Sequence, residues 1–185
     1  MLLDLTLPVT KQMLEEAKEL NNPALEGHLG THFDAMDKEF PLEYTRRKGI
    51  VFDVSSVGDG EIGVGDLDAD SISHGMFVAF YTGYGERVGY GNPGYFSVHP
   101  TLSVELIDLL LQKGVSIIGV DFAGIRRGKE HTPMDARCAA FGTFVVENLV
   151  GLQEVLAAGG SFTAHTYPMR FVGVTGLPCR VLAEL

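Results

Sequence analysis

Hydrophobic residues recur along the chain in short runs that predict a mixed α/β fold. The runs at 49–54, 76–81 and 115–121 are rich in Val, Ile and Phe and are bounded by Gly or polar residues, which is typical of buried strands. Residues 102–112 instead place apolar side chains on one helical face, and Gly114 supplies a stop signal. Weaker patterns predict strands over 2–8, 143–146, 161–172 and 178–183, a helix from Thr10 to Asn21, a short helix over 135–141, and a strand or loop over 28–34.

Residues 82–97 are rich in glycine and tyrosine, and we predict a loop there. Aromatic side chains in and beside this segment suit either the wall of a pocket for a flat substrate or a subunit contact, and the sequence favours neither. They are Tyr81, Tyr84, Tyr90, Tyr95 and Phe96. Because no repeat, low-complexity tract or linker interrupts the chain, we predict a single domain over residues 1–185, with more strand than helix.

The composition is that of an ordinary soluble protein, with 45% hydrophobic and 21% charged residues. Lys and Arg number 14 against 24 Asp and Glu, which gives a net charge of −10, and the basic residues form no long cluster. We therefore expect no nucleic-acid partner and no membrane partner. The chain shows no signal-peptide pattern and no apolar run of membrane length, and Cys138 and Cys179 lie far apart, so we predict a reduced, cytoplasmic protein.

The most informative segment is residues 28–34, with the sequence His-Leu-Gly-Thr-His-Phe-Asp. In an extended backbone His28, His32 and Asp34 have the same parity and face one side. Two imidazoles and a carboxylate on one face suit a divalent metal ion. The helical zinc-protease motif is excluded, because it needs Glu directly after the first His, where this chain has Leu29. From spacing alone, an accidental grouping beside a glycine turn remains the alternative.

The segment His28-x-Gly30-Thr31-His32-x-Asp34 resembles the HxGTHxDxPxH signature of the cyclase and metal-dependent hydrolase family, which includes kynurenine formamidase and isatin hydrolase. The resemblance continues in order along nearly the whole chain, through Leu5-Thr6, the stretch from Pro100 to Asp121, residues 146–149, Pro168 and residues 176–181. It implies the swivelling β/β/α fold of the cyclase-like family with a mixed sheet. It also implies one or two divalent ions, usually zinc or manganese, hydrolysis of an amide bond, and at least a homodimer.

The resemblance implies four metal ligands. His28, His32 and Asp34 match the ligands of the first metal, and Glu147 matches the family's later glutamate ligand. Glu147 also interrupts an apolar run, and a carboxylate in a buried strand needs a metal or another cation as its partner. A carboxylate that reaches solvent at the end of the strand is the alternative for Glu147.

The chain departs from the family pattern at two histidines. Where the motif continues with Pro-x-His, this chain has Met36 and Lys38, so the family's proton-transferring histidine is missing. Asp135 stands twelve residues before Glu147, where the family places another histidine. We predict catalytic roles for Lys38 and Asp135, with Lys38 as proton donor if burial near a cation lowers its pKa; a solvated surface lysine is the alternative. Asp135 can also bind an ion, and a carboxylate-rich half would favour manganese or magnesium over zinc.

Other polar groups carry weaker signals. We expect His131 on a loop that faces solvent, with replacement of a lost histidine as the alternative. Asp37 is expected to face water, and Cys138 to be a buried, inert thiol. Asp121 ends an apolar strand, where a cap and a support for the metal ligands are equally compatible with the sequence. His99 lacks ligand spacing and is expected in the core or at the surface.

These observations together predict a cytoplasmic hydrolase that uses a divalent metal ion, Zn or Mn, to activate water against a C–N bond in a small amide, aryl formamide or cyclic imide. The alternative is a diverged family member that binds a metal or small molecule without hydrolysis, which the missing histidines favour. A third interpretation is lyase or dehydration chemistry with the same ion.

Overall fold

The computed structural model describes residues 1–19 and 27–185, so the predicted helix end at Asn21 lies outside the described residues. The strands are β1 (Leu2–Asp4), β2 (His32–Asp34), β3 (Arg46–Asp53), β4 (Glu61–Ile62), β5 (Phe77–Tyr81), β6 (Thr101–Leu102), β7 (Ile117–Val120), β8 (Phe144–Glu147), β9 (Ser161–Pro168) and β10 (Gly176–Glu184). The helices are α1 (Lys11–Glu19), α2 (Tyr84–Val88), α3 (Tyr95–Val98), α4 (Val104–Gln112), α5 (His131–Ala140) and α6 (Leu152–Ala157). Within the described ranges, no helix combines the length and apolar character needed to cross a membrane.

A closed mixed sheet forms the centre of the fold. Strands β3, β5, β7 and β8 are parallel neighbours, whereas β2 pairs antiparallel with β8, and β10 pairs antiparallel with β2. Strand β9 pairs with both β10 and β3 and thereby closes the sheet into a barrel, while β1 pairs with the end of β10. Strands β4 and β6 form a separate two-stranded ribbon. The predicted α/β class with a mixed sheet is confirmed.

Side chains of the central strands alternate between two hydrophobic clusters. One cluster fills the barrel and includes Phe77, Ala79, Ile117, Phe144 and Val146. The other lies between the sheet and α4 and includes Val78, Phe80, Ile118, Val120 and Val145. Because successive strand residues face opposite sides, both faces of these strands are buried, as their continuous apolar sequence predicts.

Helix α4 follows its predicted apolar pattern. Ser103 caps the first turn by accepting a hydrogen bond from the Leu106 amide. Gly114, with a φ of 66°, lets the chain leave the helix in a left-handed conformation. One face is buried against the sheet through Leu106, Ile107, Leu110 and Leu111. Burial of each such side chain contributes about 1.5–3 kcal/mol, so packing rather than helix propensity holds α4 in place.

Several local predictions differ from the structure. Residues 82–97, predicted as a loop, contain α2 and α3, and α6 was not predicted. These helices have four to six residues, too few to show helical periodicity, and each begins after a glycine with positive φ: Gly83, Gly94 and Gly151. Helix α5 begins at His131 rather than at residue 135, and β9 ends at Pro168 rather than at residue 172.

Candidate metal centre

Strands β2 and β8 bring the two halves of the predicted site together. In their antiparallel register His32 lies opposite Glu147, and Phe33 lies opposite Val146. Phe33 and Val146 both join the cluster inside the barrel. Because side chains alternate along a strand, His32, Asp34 and Glu147 lie on the other face of the sheet, at the carboxyl end of β8.

The four predicted metal ligands meet at this position. His28 Nδ1 lies 3.2 Å from Asp34 Oδ1, and His32 Nε2 lies 3.8 Å from the same oxygen. His32 Nε2 is also 3.6 Å from Glu147 Oε2. Ligand atoms of His28, His32 and Asp34 lie within 4.8 Å of one another, which is close enough for one metal ion to contact all three.

His28 reaches the centre from a turn rather than from the extended segment predicted over residues 28–34. Strand β2 begins only at His32, and Gly30 adopts a positive φ of 70°. That conformation favours glycine, because it strains residues that carry a Cβ atom. The turn folds His28 back onto Asp34. The three predicted ligands therefore converge through a turn, and not by lying on one face of an extended strand.

Helix α5 adds His131 and Asp135 to the same centre. One helical turn separates the two residues, so their side chains share a face. His131 Nε2 lies 3.1 Å from Asp135 Oδ2 and 3.1 Å from Glu147 Oε1. Ligand atoms of Asp34, His131 and Asp135 lie within 4.8 Å of one another and form a second group able to hold a metal ion. The expectation of a solvated loop position for His131 is therefore wrong: it begins a helix, and its side chain is only 35% exposed.

Three buried carboxylates make the centre strongly acidic. Asp34, Asp135 and Glu147 are 2%, 0% and 3% exposed. Asp34 Oδ2 and Asp135 Oδ1 accept no hydrogen bond from the described residues, and His131 Nε2 is the one donor near Asp135 Oδ2. A buried carboxylate without a hydrogen-bond donor or cation is costly, and a divalent cation would supply the missing partner. The imidazoles suit zinc and the carboxylates suit manganese, so the residues present fit a divalent ion.

Burial and nearby charged groups shift the pKa values of the side chains in the centre in opposite directions. Burial raises the pKa of Glu147 well above its usual range and the pKa of Asp135 to about 7. Hydrogen bonds with the same two carboxylates raise the pKa of His131 to about 11. Burial opposes ionisation of Asp34, but its hydrogen bond with His28 and nearby positive charge outweigh burial and lower its pKa. Asp34 is therefore the carboxylate of this group that ionises most readily, and His131 holds a proton at neutral pH.

A hydrogen-bond network behind the centre orients His32. Its Nδ1 donates to the Gly30 carbonyl at 3.0 Å, so Nε2 is left to face the carboxylates, and burial lowers the pKa of His32 toward the neutral form that binds metals. Asn148 Nδ2 donates to the same carbonyl at 2.9 Å, and the Tyr95 hydroxyl donates to Asn148 Oδ1 at 2.8 Å. Sequence reasoning missed the role of Asn148. Its signal was an amide directly after a buried glutamate, a residue type that tolerates the observed φ of 59°.

Lys38 lies outside this centre. It follows β2 in an exposed turn, and its Nζ donates to Asp37 Oδ2 at 3.0 Å. The Lys38 side chain is 44% exposed and the Asp37 side chain 80% exposed, which agrees with the expectation that Asp37 faces water. Among the described residues Lys38 forms no ion pair with Asp34, Asp135 or Glu147. The catalytic role of Lys38 stays a prediction.

A cavity of about 240 Å³ lies beside the network that orients His32. Its lining includes Tyr81, Tyr90, Tyr95 and Asn148. The Tyr90 hydroxyl accepts a hydrogen bond from the Gly30 amide at 3.1 Å, so the cavity wall contacts the metal-binding turn. Part of the tyrosine-rich segment therefore borders an open space next to the centre.

Asp121 caps a turn and does not contact the metal ligands directly. Its carboxylate accepts hydrogen bonds from the Thr82 amide at 3.0 Å, the Thr82 hydroxyl at 2.6 Å and the Gly83 amide at 2.7 Å. Burial nevertheless raises its pKa to about 6. The sequence left open whether Asp121 caps a turn or supports the metal ligands, and the structure shows the cap. Cys138 is buried as predicted, and burial raises the pKa of its thiol to about 12, which keeps it unreactive.

Solved structures share this fold at low sequence identity. A "predicted metal-dependent hydrolase" from Bacillus stearothermophilus is 22% identical with a TM-score of 0.74, over 99% of this chain and 97% of that chain. A "potential metal-dependent hydrolase with cyclase activity" is 23% identical with a TM-score of 0.74, over 99% of this chain and 98% of that chain. Isatin hydrolase A from Ralstonia solanacearum is 21% identical with a TM-score of 0.72, over 85% of this chain and 72% of that chain. These likenesses establish the shared fold.

A search of the curated proteins found no significant match. A family model described as "Putative cyclase" matches residues 3–126, more than half of the chain. The matched region contains His28, His32 and Asp34, whereas Asp135 and Glu147 follow it. The family resemblance of the first motif is thus confirmed by an independent comparison, and the chain belongs to the cyclase family.

Proposed function

We propose that this protein is a metal-dependent hydrolase that uses Zn or Mn and cleaves a C–N bond in a small amide, aryl formamide or cyclic imide. The observation that carries the proposal is the buried group of imidazoles and carboxylates, in which Asp34 Oδ2 and Asp135 Oδ1 have no hydrogen-bond donor among the described residues. The metal-dependent hydrolases and isatin hydrolase that share its fold support the same class of reaction.

The chain's own residues hold and orient the ion. His28 offers Nδ1 to the centre while its Nε2 is hydrogen-bonded to Thr175 Oγ1 at 2.9 Å, which fixes the ring. His32 offers Nε2, and Asp34 offers its carboxylate. When bound, the ion supplies a Lewis acid that lowers the pKa of water and polarises a carbonyl oxygen. Glu147 and Asp135 would lose their protons when a cation binds beside them, and their carboxylates would then offer further oxygen ligands.

His131 is the residue that we propose as proton donor. Its Nε2 holds a proton between Asp135 and Glu147, and its side chain is exposed enough to meet a bound substrate. A proton held there can pass to the nitrogen that leaves when the C–N bond breaks. Lys38 remains the second candidate, although its pairing with Asp37 in an exposed turn favours His131.

A hydrolysis assay tests the proposed function. The protein is stripped of metal with a chelator, supplied with Zn or Mn, and offered an aryl formamide, isatin and a cyclic amide. We expect turnover of one of these classes that disappears on chelation, returns with metal and is absent from the His32→Ala variant. Full metal occupancy without turnover of any of the three classes would contradict the proposal.

Metal binding without hydrolysis is the second candidate function. The replacement of two family histidines by Lys38 and Asp135, together with the exposed position of Lys38, favours it. It predicts the same metal binding as the hydrolase but no turnover, so the assay above separates the two candidates once metal content has been measured.

We also propose that the protein forms a homodimer or a higher homo-oligomer. Apolar side chains are exposed at the end of β9 and in the segment after it, and they are Tyr167, Met169, Phe171, Val172 and Val174. An apolar patch of this kind favours association. Sedimentation velocity at micromolar concentration should show a mass above that of one chain, and a monomer at all concentrations would contradict this proposal.

A further inference from the structure

A groove lies at the end of the barrel opposite the metal centre. It has a volume of about 650 Å³ and is lined by the first residues of β3 and by residues that precede β5 and β7. The metal centre lies instead at the carboxyl end of β8, which runs parallel to β7. The groove is therefore separate from the site of the proposed hydrolase activity.

The lining of the groove carries positive charge. Arg46, Arg47 and Lys48 contribute three cations, and His74 adds an imidazole. The lining contains no Asp or Glu, although the protein has 24 acidic residues against 14 Lys and Arg. A concave surface with one sign of charge concentrates the local potential and attracts ions of the opposite sign.

These cations also lack an acidic side chain within ion-pair distance in the described part of the chain. Arg46, Arg47 and Lys48 form no ion pair there, whereas Arg87 and Arg126 do. Neighbouring like charges raise the energy of the folded chain, because they repel one another. Arg46 and Lys48 share one face of β3, and Arg47 lies on the other face, so an anion in the groove would offset the repulsion between Arg46 and Lys48 most directly.

Arg47 is held in position for such an anion. Its Nε donates to Ser116 Oγ at 3.1 Å, and its guanidinium carbon lies 4.4 Å from the centre of the Tyr44 ring. These contacts fix the side chain while leaving its other N–H groups for a ligand. Thr163 adds a hydroxyl to the same lining. A fixed guanidinium, a lysine and hydroxyl groups together make the donor set that binds phosphate oxygens.

We propose that this groove binds a phosphate group, either as free phosphate or as part of a small phosphorylated molecule. Three cations suit a dianion, and the groove has room for a small organic group beside it. A nucleic acid does not suit the surface, because three cations on a protein with a net charge of −10 are too few to neutralise a run of phosphates.

The test is a titration with inorganic phosphate at constant ionic strength. Binding is measured from the chemical shifts of the backbone amide resonances of the protein. We expect saturable shifts at Gly75 and Ser116, which line the groove, and smaller shifts at Gly30 in the metal-binding turn. A second titration with glycerol phosphate separates the two sources of the phosphate group: tighter binding of the ester indicates a phosphorylated molecule, and tighter binding of inorganic phosphate indicates the free ion.

Matched double variants separate a specific site from general attraction. The Arg46→Gln/Lys48→Gln variant removes two exposed cations of the groove and should weaken phosphate binding about tenfold or more. The Lys11→Gln/Lys18→Gln variant removes two cations of α1 and should leave binding within about twofold. Equal weakening in the two variants, shifts confined to the region of Gly30, or no saturable shift at Gly75 and Ser116 would overturn the proposal.

Discussion

His131 and Lys38 are competing proton donors, and paired variants distinguish them. His131→Gln should lower kcat by about 10²- to 10⁴-fold, the usual share of acid–base catalysis, whereas Lys38→Met should stay within about threefold of the parent. The measurement is steady-state kinetics on samples with known metal content. Loss of activity in Lys38→Met with full activity in His131→Gln would reverse the assignment. Loss of bound metal from His131→Gln would instead make His131 a ligand.

Tyr95 acts on the metal centre through Asn148. Removing the Tyr95 hydroxyl leaves the Asn148 amide less well oriented toward the Gly30 carbonyl, which in turn orients His32. Tyr95→Phe should therefore weaken metal binding about tenfold, at the lower end of the usual effect of groups that support metal ligands. Tyr44→Phe is the matched control, because its hydroxyl donates to the Gly142 carbonyl and does not contact Asn148 or Tyr95. The same dissociation constant for both variants would argue against the network.

His99 makes stability depend on pH. It is buried, lies parallel to Phe122 with the ring centres 5.6 Å apart, and burial lowers its pKa to about 4. The unfolded chain binds a proton at His99 near pH 6.5 and the folded chain only near pH 4, so the folded state loses stability as pH falls through this window.

The loss from His99 should reach about 2–3 kcal/mol at pH 4.5 relative to pH 7.5. Urea unfolding of the parent and of His99→Phe at both pH values measures it, because the variant keeps an aromatic ring but cannot bind the proton. The difference in unfolding free energy between the two proteins should change with pH by that amount. A difference that is the same at both pH values would show that His99 is not the cause.

At the scale of the elements, the pairing of β2 with β8 holds the site together. Phe33, between two metal ligands, is fully buried and packs on Phe40 with ring centres 4.7 Å apart. Phe33→Ala should lower the unfolding free energy by about 3–5 kcal/mol, whereas Phe96→Ala, at a side chain that is 58% exposed, should change it by less than about 0.5 kcal/mol. Chemical denaturation measures both. Equal stability of the two variants would contradict the core position of Phe33.

The helices and strands differ in how well the sequence predicts them. Strand β7 lies in a continuous apolar run rich in Val and Ile, and helix α4 has a periodic apolar face, so their sequence patterns predict them well. Helices α2, α3 and α6 are too short for a period to appear and depend on glycine turns and tertiary packing. The start of α5 was missed although Pro133, in its first turn, is a residue type favoured near helix starts. That one error placed His131 on a loop and hid its contact with Glu147.

At the scale of the whole molecule, the site joins two distant parts of the chain, residues 28–34 and residues 131–147. The local spacing of His28, His32 and Asp34 was sufficient to suggest a metal, because all three come from one short segment. The contribution of His131 was not predictable from spacing, since the packing of helix α5 against β8 brings it to Glu147. The family resemblance drew attention to Glu147 and Asp135 before the structure did. The position of its missing histidine drew attention to Lys38, which the structure places in an exposed turn, whereas His131 contacts both carboxylates.

Calorimetric titration of the metal-stripped protein with Mn²⁺ tests the central claim most directly, because it asks only whether the buried cluster is a metal centre. We expect the parent to bind at least one ion, His32→Ala to bind it at least about 100-fold more weakly, and His165→Ala, whose imidazole pairs with Glu184 away from the centre, to match the parent. Absence of binding by the parent, or equal binding by the parent and His32→Ala, would contradict the account.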